Sequence, residues 1–230
     1  MGGIGATAWS CTRLARMTQV AVPAGTGDLT AIADTLQAAF FDDPVTSWFL
    51  PDPGSRPRRL AGMFTTLLVG QYLPMRTVWT TADQSGAALW APPGHAKIPT
   101  SRIVRQAPGM VKALGRHTVR ALRFLDVVEK QHPTEPHWYL GVLGTSPPHQ
   151  GKGIGAALLA PVLERCDREG VPAYLESSKP ANIPYYRRFG FETTGEISVS
   201  GGPTVWPMWR DPHPPMPEGP PMPEGPATTG

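Results

Sequence analysis

Cysteine, charged residues and long apolar runs are all scarce in this 230-residue chain. Cysteine occurs only at Cys11 and Cys166, far apart and without histidines at ligand spacing, which argues against a disulfide framework and a zinc site. No stretch approaches the roughly 20 apolar residues that a membrane-spanning helix needs. The start of the sequence also lacks a basic segment followed by an apolar one. We therefore expect a soluble cytoplasmic protein that binds no metal.

The charge balance is mild, with 21 Lys and Arg against 18 Asp and Glu and a formal net charge of +3. Such a balance favours neither nucleic acid nor an acidic membrane as the main partner, and it suits a small anionic ligand equally well. Apolar residues make up 40% of the chain, enough for one sizeable core. We expect a monomer or a homodimer, and the sequence does not decide between them.

The two ends of the chain differ in composition from its middle. Residues 1–17 are rich in Gly, Ala and Thr and predict a disordered leader. Residues 216–220 recur as 222–226 in a Pro-rich segment, which predicts a disordered tail over 212–230. One folded domain is predicted between them, over 18–211.

Apolar spacing in that domain alternates between helical and strand-like periods. Helices are predicted over 28–41 with Asp28 as its cap, 58–72, 153–168 and 182–188, and over 100–131 with an interruption at Pro108 and Gly109. Strands are predicted over 19–22, 76–81, 87–90, 138–143, 173–177, 192–200 and 204–210, with a hairpin at Ser85 and Gly86. The order predicts a mixed α/β fold.

A stripe of basic residues follows one face of the helical stretch 100–131. Its members are Lys112, Arg116, Arg120 and Arg123. A solvated face explains the stripe most simply, and contact with an acidic ligand or nucleic acid is the alternative.

The segment 141–156 combines a strand, a turn, a glycine-rich loop and the start of a helix. Gly151, Gly153 and Gly155 let successive N–H groups converge at a helix N-terminus, where a phosphate is favoured. Lys152 adds a positive charge at the rim of the loop. The spacing is Gln-x-x-Gly-x-Gly and fits neither a Walker loop nor a dinucleotide fingerprint. A second motif, Asn-x-x-x-Tyr-x-x-x-Gly-Phe, follows at 182–191.

Together the two motifs resemble those of the GNAT N-acetyltransferases. The resemblance implies an α/β fold with a mixed, mostly antiparallel sheet that splits at its fourth and fifth strands and is flanked by helices. It implies acetyl-CoA as cofactor, CoA as product, and direct transfer of the acetyl group to a primary amine. The cofactor contacts that it implies are Leu143, Gly144, Thr145, Gln150, Gly151, Lys152, Gly153, Ile154, Gly155, Ala156, Asn182 and Tyr186.

Two side chains are candidates for the chemistry. Tyr186 matches the family tyrosine near the cofactor sulfur, which donates a proton to the departing thiolate. Glu176 ends the predicted strand 173–177 and is a candidate general base, although a surface or structural carboxylate is an equally open interpretation. His137 and His149 are weaker candidates. Cys166 belongs to an apolar helical stripe, which favours packing over a covalent acetyl-enzyme.

Within the family, residues 132–210 resemble the enzymes that acetylate puromycin. That likeness suggests an aminoacyl nucleoside antibiotic as acceptor and a role in resistance or detoxification. The predicted pocket consists of Phe40, Asp43, Trp48, Trp90 and Tyr139, where Asp43 replaces an expected aromatic residue. The alternatives are a polyamine, aminoglycoside or protein N-terminus as acceptor, or a non-catalytic module that binds acetyl-CoA or nucleic acid.

Overall fold

The computed structural model describes residues 20–96 and 100–213. The predicted leader 1–17, most of the predicted tail, Cys11 and Gln19 lie outside these ranges. The predicted disorder of the two ends and the domain boundaries therefore stay predictions.

The described residues form eight α-helices. They are α1 (Leu29–Ala39), α2 (Pro44–Phe49), α3 (Arg56–Leu67), α4 (Leu73–Met75), α5 (Thr100–Leu114), α6 (Thr118–Lys130), α7 (Ile154–Glu169) and α8 (Ile183–Arg187). A π-helical turn, Leu68–Tyr72, joins α3 to α4. No helix among the described residues is both long enough and apolar enough to cross a lipid bilayer.

The strands form one twisted sheet around which the helices pack. They are β1 (Ala21–Pro23), β2 (Val78–Thr81), β3 (Gly86–Ala91), β4 (Trp138–Thr145), β5 (Ala173–Ser177), β6 (Glu192–Thr193), β7 (Ile197–Ser198) and β8 (Thr204–Arg210). Their order is β1-β2-β3-β4-β5-β8-β6, with β7 also paired to β8. Only β4 and β5 pair in parallel among the described strands.

The parallel pair separates halfway along its length. Its register ends where Leu140 faces Leu175. Beyond that point β4 stays paired with β3, as far as Thr145, while Glu176 and Ser177 stay paired with β8. The predicted fold, a mostly antiparallel sheet split at its fourth and fifth strands, is thereby confirmed.

The central strand β3 is buried on both faces, and its alternating side chains enter two different cores. Ala87 and Leu89 join the core that also contains α1 and α3. Ala88 and Trp90 join the core that also contains α7. Glycines permit the close approach of both layers, since a Cβ at Gly144 would lie 2.8 Å from the Leu36 side chain, and one at Gly86 would lie 2.6 Å from that of Ile154.

Several predicted element boundaries were wrong. The long helical stretch breaks at Gly115, which has a φ of 57°, whereas α5 continues through Pro108. The predicted strand 192–200 is two short strands, β6 and β7, and the short helix α2 was not predicted. Asp28 does not cap α1 with its side chain, because its carboxylate accepts from the Gly25 N–H and the Gln84 amide.

The basic stripe is solvated, in agreement with the simpler interpretation. Lys112, Arg116, Arg120 and Arg123 are all exposed. Arg120 also stacks on the Trp48 ring and donates to the Trp48 carbonyl oxygen at 2.8 Å.

Candidate active site

A cavity of about 830 Å³ opens where β4 and β5 separate. One part is lined by the glycine loop that connects β4 to α7, and another by apolar side chains of α3, α5 and α6. Glu176 and Tyr186 also line it. The split in the sheet therefore joins the loop and both candidate catalytic residues in one space.

The glycine loop presents unpaired backbone donors. Gly151 and Gly153 have φ angles of 76° and 82°, a left-handed conformation that glycine adopts without strain. In the described chain no protein acceptor meets the N–H groups of Gly151, Lys152 or Gly153. The first N–H groups of α7 also lack intrahelical acceptors. The Gln150 amide holds the loop to the end of β4 by donating to the Thr145 carbonyl at 3.2 Å.

At Gly155 the packing of the loop leaves no room for a side chain. A Cβ at this position would collide with the hydroxyl of Tyr185, whose ring lies over the first turn of α7. A Cβ at Gly151 or Gly153 would have no neighbour within 4 Å, so the loop faces open space. Arg188 stacks on the Tyr185 ring, with 4.9 Å between its guanidinium carbon and the ring centroid. Open donors, a helix N-terminus and a nearby guanidinium suit a diphosphate.

Replacing Gly155 with alanine should destabilise the protein by about 1–3 kcal/mol, the range for overpacking, because the new methyl group meets the Tyr185 hydroxyl. Urea unfolding of the purified protein measures the change. Adding Tyr185→Phe should restore part of the loss, since it removes the colliding oxygen.

Gly27→Ala is the matched control for that substitution. A Cβ at Gly27 would meet nothing within 4 Å, so the unfolding free energy should change by less than about 0.5 kcal/mol. Equal losses for both alanine variants would contradict the contact with Tyr185.

Tyr186 lies in the wall of the cavity with only 9% of its surface exposed. Its ring packs on Tyr185 and Phe191, at centroid distances of 5.4 and 6.0 Å. Burial raises the pKa of its hydroxyl above the ordinary value, and the carboxylate of Asp43 adds to this. The phenol is therefore protonated throughout the neutral range and is available as a hydrogen-bond donor.

Glu176 reaches the cavity from the end of β5, and its side chain is 7% exposed. The nearest basic group is His132, whose Nδ1 lies 3.4 Å from Glu176 Oε1. Burial raises the pKa values of Tyr72, Tyr139 and Tyr174, and the Glu176 carboxylate raises them further. A carboxyl group in the cavity wall, surrounded by neutral phenols, is a candidate proton acceptor.

Asp43 is buried against the same cavity, with 3% of its surface exposed. Its Oδ1 accepts from the Val45 and Thr46 N–H groups, which caps α2, at 2.9 and 3.2 Å. Its Oδ2 accepts a short hydrogen bond from the Ser178 hydroxyl. This carboxylate connects α2 to the residue that follows β5, so it stabilises the wall where an aromatic side chain was expected.

Most of the predicted site residues line the cavity. They are Leu143, Gly144, Thr145, Gln150, Gly151, Gly153, Ile154, Gly155, Asn182 and Tyr186 of the predicted cofactor set, together with Glu176, Phe40, Asp43 and Tyr139. Their roles in binding and catalysis stay predictions.

Four predicted residues lie elsewhere. Trp90 is fully buried under α7, because strand alternation turns it to the face opposite the cavity. Trp48 donates its indole N–H to the Gly201 carbonyl at 2.7 Å. Lys152 is exposed on the loop and Ala156 is half-buried, and neither lines the cavity.

Cys166 is fully buried in α7, as the apolar stripe predicted. Burial raises the pKa of its thiol to about 12, so a thiolate does not form there at neutral pH.

Sequence reasoning missed His132, which lies 44 residues from Glu176 along the chain. It also missed the apolar lining from the helices, namely Met63, Phe64, Leu67, Met110, Leu114, Ala121, Leu122, Phe124, Leu125 and Val128. The helical periods predict an apolar face at these positions, but only the packing of α3, α5 and α6 turns it toward a cavity.

Comparison with known proteins agrees with this geometry. The model of the acetyltransferase (GNAT) family matches residues 111–191, which contain the glycine loop and the Asn182 motif. An uncharacterized N-acetyltransferase of Schizosaccharomyces pombe is 31% identical over 174 residues, which cover 71% of this chain and 70% of the yeast protein. The chain belongs to the GNAT acetyltransferase family. This GNAT protein is accordingly an N-acetyltransferase.

Solved structures share the fold. A Corynebacterium glutamicum protein described as histone acetyltransferase HPA2 and related acetyltransferase has a TM-score of 0.65 and 29% identity, over 87% of this chain and 99% of that one. A Drosophila melanogaster polyamine N-acetyltransferase has a TM-score of 0.57 over 84% of this chain and 99% of that one. At 15% identity the second likeness concerns the fold alone.

Proposed function

We propose that this GNAT protein moves the acetyl group of acetyl-CoA directly to the primary amine of a small molecule with a largely apolar body. The observation that carries the proposal is one continuous cavity. It reaches from the glycine loop past Tyr186 and Glu176 into an apolar chamber, the part lined by side chains of α3, α5 and α6. Such a cavity holds a thioester and an amine in one space and supplies the proximity that acyl transfer requires.

Acetyl-CoA would supply the activated acetyl thioester in this reaction. Its diphosphate would be held by the N–H groups of Gly151 to Gly155, aided by Arg188. Beyond Leu140, none of the described strands pairs with β4 on the side from which β5 departs. The backbone groups of Leu143, Gly144 and Thr145 on that open side can pair with an extended amide-containing arm as an added strand does.

The remaining steps need a proton acceptor and a donor on the chain. Glu176 accepts the proton that the amine must lose before its nitrogen forms the new C–N bond. Tyr186 donates to the sulfur as the C–S bond breaks, and its burial keeps the proton on the phenol until then. Cys166, the cysteine among the described residues, is a buried neutral thiol, which supports direct transfer to the amine without an acetyl-enzyme.

The chamber favours an amphipathic acceptor. Its walls are aromatic and aliphatic side chains, including Phe40 directly after α1, Phe64 on α3 and Phe124 on α6. The carboxylates in its lining are Asp43 and Glu176. Glu176 is the one left to attract an ammonium group, because both oxygens of Asp43 accept hydrogen bonds within the chain. An aminoacyl nucleoside of the puromycin type, with one amine on an aromatic body, matches this chemistry, and its acetylation would serve in antibiotic resistance or detoxification.

A polycationic acceptor is less well matched. A polyamine or aminoglycoside spreads several charges along its length, whereas most of the chamber lining is apolar. Asp43 already uses both carboxylate oxygens in hydrogen bonds within the chain.

An acceptor screen tests the proposal. Purified full-length protein is incubated with acetyl-CoA and puromycin, an arylalkylamine, spermidine or an aminoglycoside, while CoA release and the product mass are followed. We expect one acetyl group to be added to the aromatic amines in preference to the polycations. Absence of CoA release with every amine would contradict the proposal.

A further inference from the structure

We propose that His132 is a positioning residue that shares one proton with Glu176, so that the proton lost by the acceptor amine enters a His132–Glu176 pair instead of an isolated carboxylate. The inference rests on the proposed function and concerns the same site. The His132 ring and the Glu176 carboxylate face each other at 3.4 Å, with each side chain 7% exposed. His132 does not itself line the cavity, whereas Glu176 does.

A second histidine fixes the orientation of protons in the pair. The Nδ1 of His137 lies 2.6 Å from the Glu135 carbonyl oxygen, which only accepts, so that nitrogen carries a hydrogen. His137 is buried, and burial lowers its pKa, so the ring is neutral at neutral pH. Its other nitrogen, Nε2, is therefore an acceptor.

The next contact assigns the His132 proton. His132 Nε2 lies 3.1 Å from His137 Nε2. Because His137 Nε2 carries a lone pair and no hydrogen, His132 Nε2 must be the donor. A neutral His132 then has a bare lone pair on Nδ1, which faces Glu176 Oε1. Two lone pairs repel, so the contact is stable only when one proton lies between Nδ1 and Oε1.

No other charged partner competes for Glu176 among the described residues around it. The titratable groups that face it are Tyr72 after α3, Tyr139 on β4, Tyr174 on β5 and, through His132, His137. Burial keeps the three phenols neutral. Rings of Tyr139 and Tyr174 each meet the His132 ring edge-on, at 4.9 Å between centroids, and hold it toward the carboxylate.

The form of the pair that accepts a proton from an ammonium is the one that has lost the shared proton. If the pair still held it, a second proton would leave a buried positive charge with no counter-ion. Activity should therefore rise with pH as the pair releases its proton, and the acid limb of the profile belongs to both residues together.

The pH profile of kcat/KM for wild type and His132→Gln tests this. Glutamine still donates to Glu176 but holds no extra proton. We expect the acid limb of His132→Gln to lie at lower pH than that of wild type, by about one unit or more. The reason is that a carboxyl group ordinarily titrates near 4.3, below the imidazole range near 6.5. An unmoved limb would overturn the proposal.

His95→Gln is the matched control, because His95 is exposed and its ring contacts the Pro93 carbonyl instead of the cavity. Its profile should coincide with that of wild type. A shift as large as that of His132→Gln would overturn the assignment to His132.

Nitrogen NMR of histidine-labelled protein gives a readout that needs no turnover. In wild type, His132 should stay protonated on both ring nitrogens to higher pH than in Glu176→Gln, and its signals are assigned by their loss in His132→Gln or His132→Asn. Identical titration in wild type and Glu176→Gln would overturn the pair. This result stands even if the acceptor screen fails, so failure of the pair and failure of the proposed function are distinguishable.

Discussion

Replacing Glu176 with glutamine should lower kcat/KM by about 10²- to 10⁴-fold, the range that general acid–base groups contribute. Glutamine keeps the size of the side chain but cannot take a proton from the amine. The carboxylate lies in the wall of the cavity at 7% exposure, so bulk water cannot easily replace it. Steady-state kinetics with an acceptor from the screen measures the loss.

Two measurements make this test specific. CoA affinity, followed by calorimetry, should change by less than about threefold, since the glycine loop is untouched. Glu164→Gln on the exposed face of α7 is the matched control and should leave kcat/KM unchanged. If Glu176→Gln keeps wild-type activity at all pH values, Glu176 is a structural carboxylate.

Replacing Tyr186 with phenylalanine should lower kcat by about 10²-fold, as removal of one hydrogen-bond donor to a developing charge does. The ring packing on Tyr185 and Phe191 survives the substitution, so only the hydroxyl is lost. Single-turnover kinetics at saturating amine isolates the transfer step from product release.

The structure of the loop and the stability of the fold should be unaffected by that substitution. The thermal midpoint and the CoA affinity of Tyr186→Phe are therefore the internal controls. A kcat equal to that of wild type, with folding and binding intact, would assign Tyr186 to packing alone.

Much of the fold followed from the sequence because the signals are local. The β2–β3 hairpin formed around Ser85 and Gly86 as predicted, and β5 and β8 have their predicted bounds. Boundaries that depend on distant contacts were missed. The helix break falls at Gly115 because its left-handed backbone ends α5, whereas Pro108 stays within the helix beside Gly109, where a Cβ would lie 2.9 Å from the Thr66 hydroxyl.

The candidate site was predictable in part for the same reason. The loop from Gln150 to Gly155 and the segment around Tyr186 are contiguous motifs, and both line the cavity. The acceptor side is built from single residues on separate helices, which no short motif records. Trp90 illustrates the difference, because it was predicted to line the pocket, whereas its position in β3 turns it into the other core.

The mixed α/β class, most of the helices and strands, the glycine loop and the family were determined by the sequence alone, because backbone conformation and motif spacing depend on near neighbours. The tertiary structure decided which side chains share the cavity. It separated β4 from β5 after Leu140, turned the apolar faces of α3 and α6 inward, and brought His132 to Glu176 across 44 residues. Such contacts arise from the packing of elements distant in sequence, and no periodicity within one element specifies them.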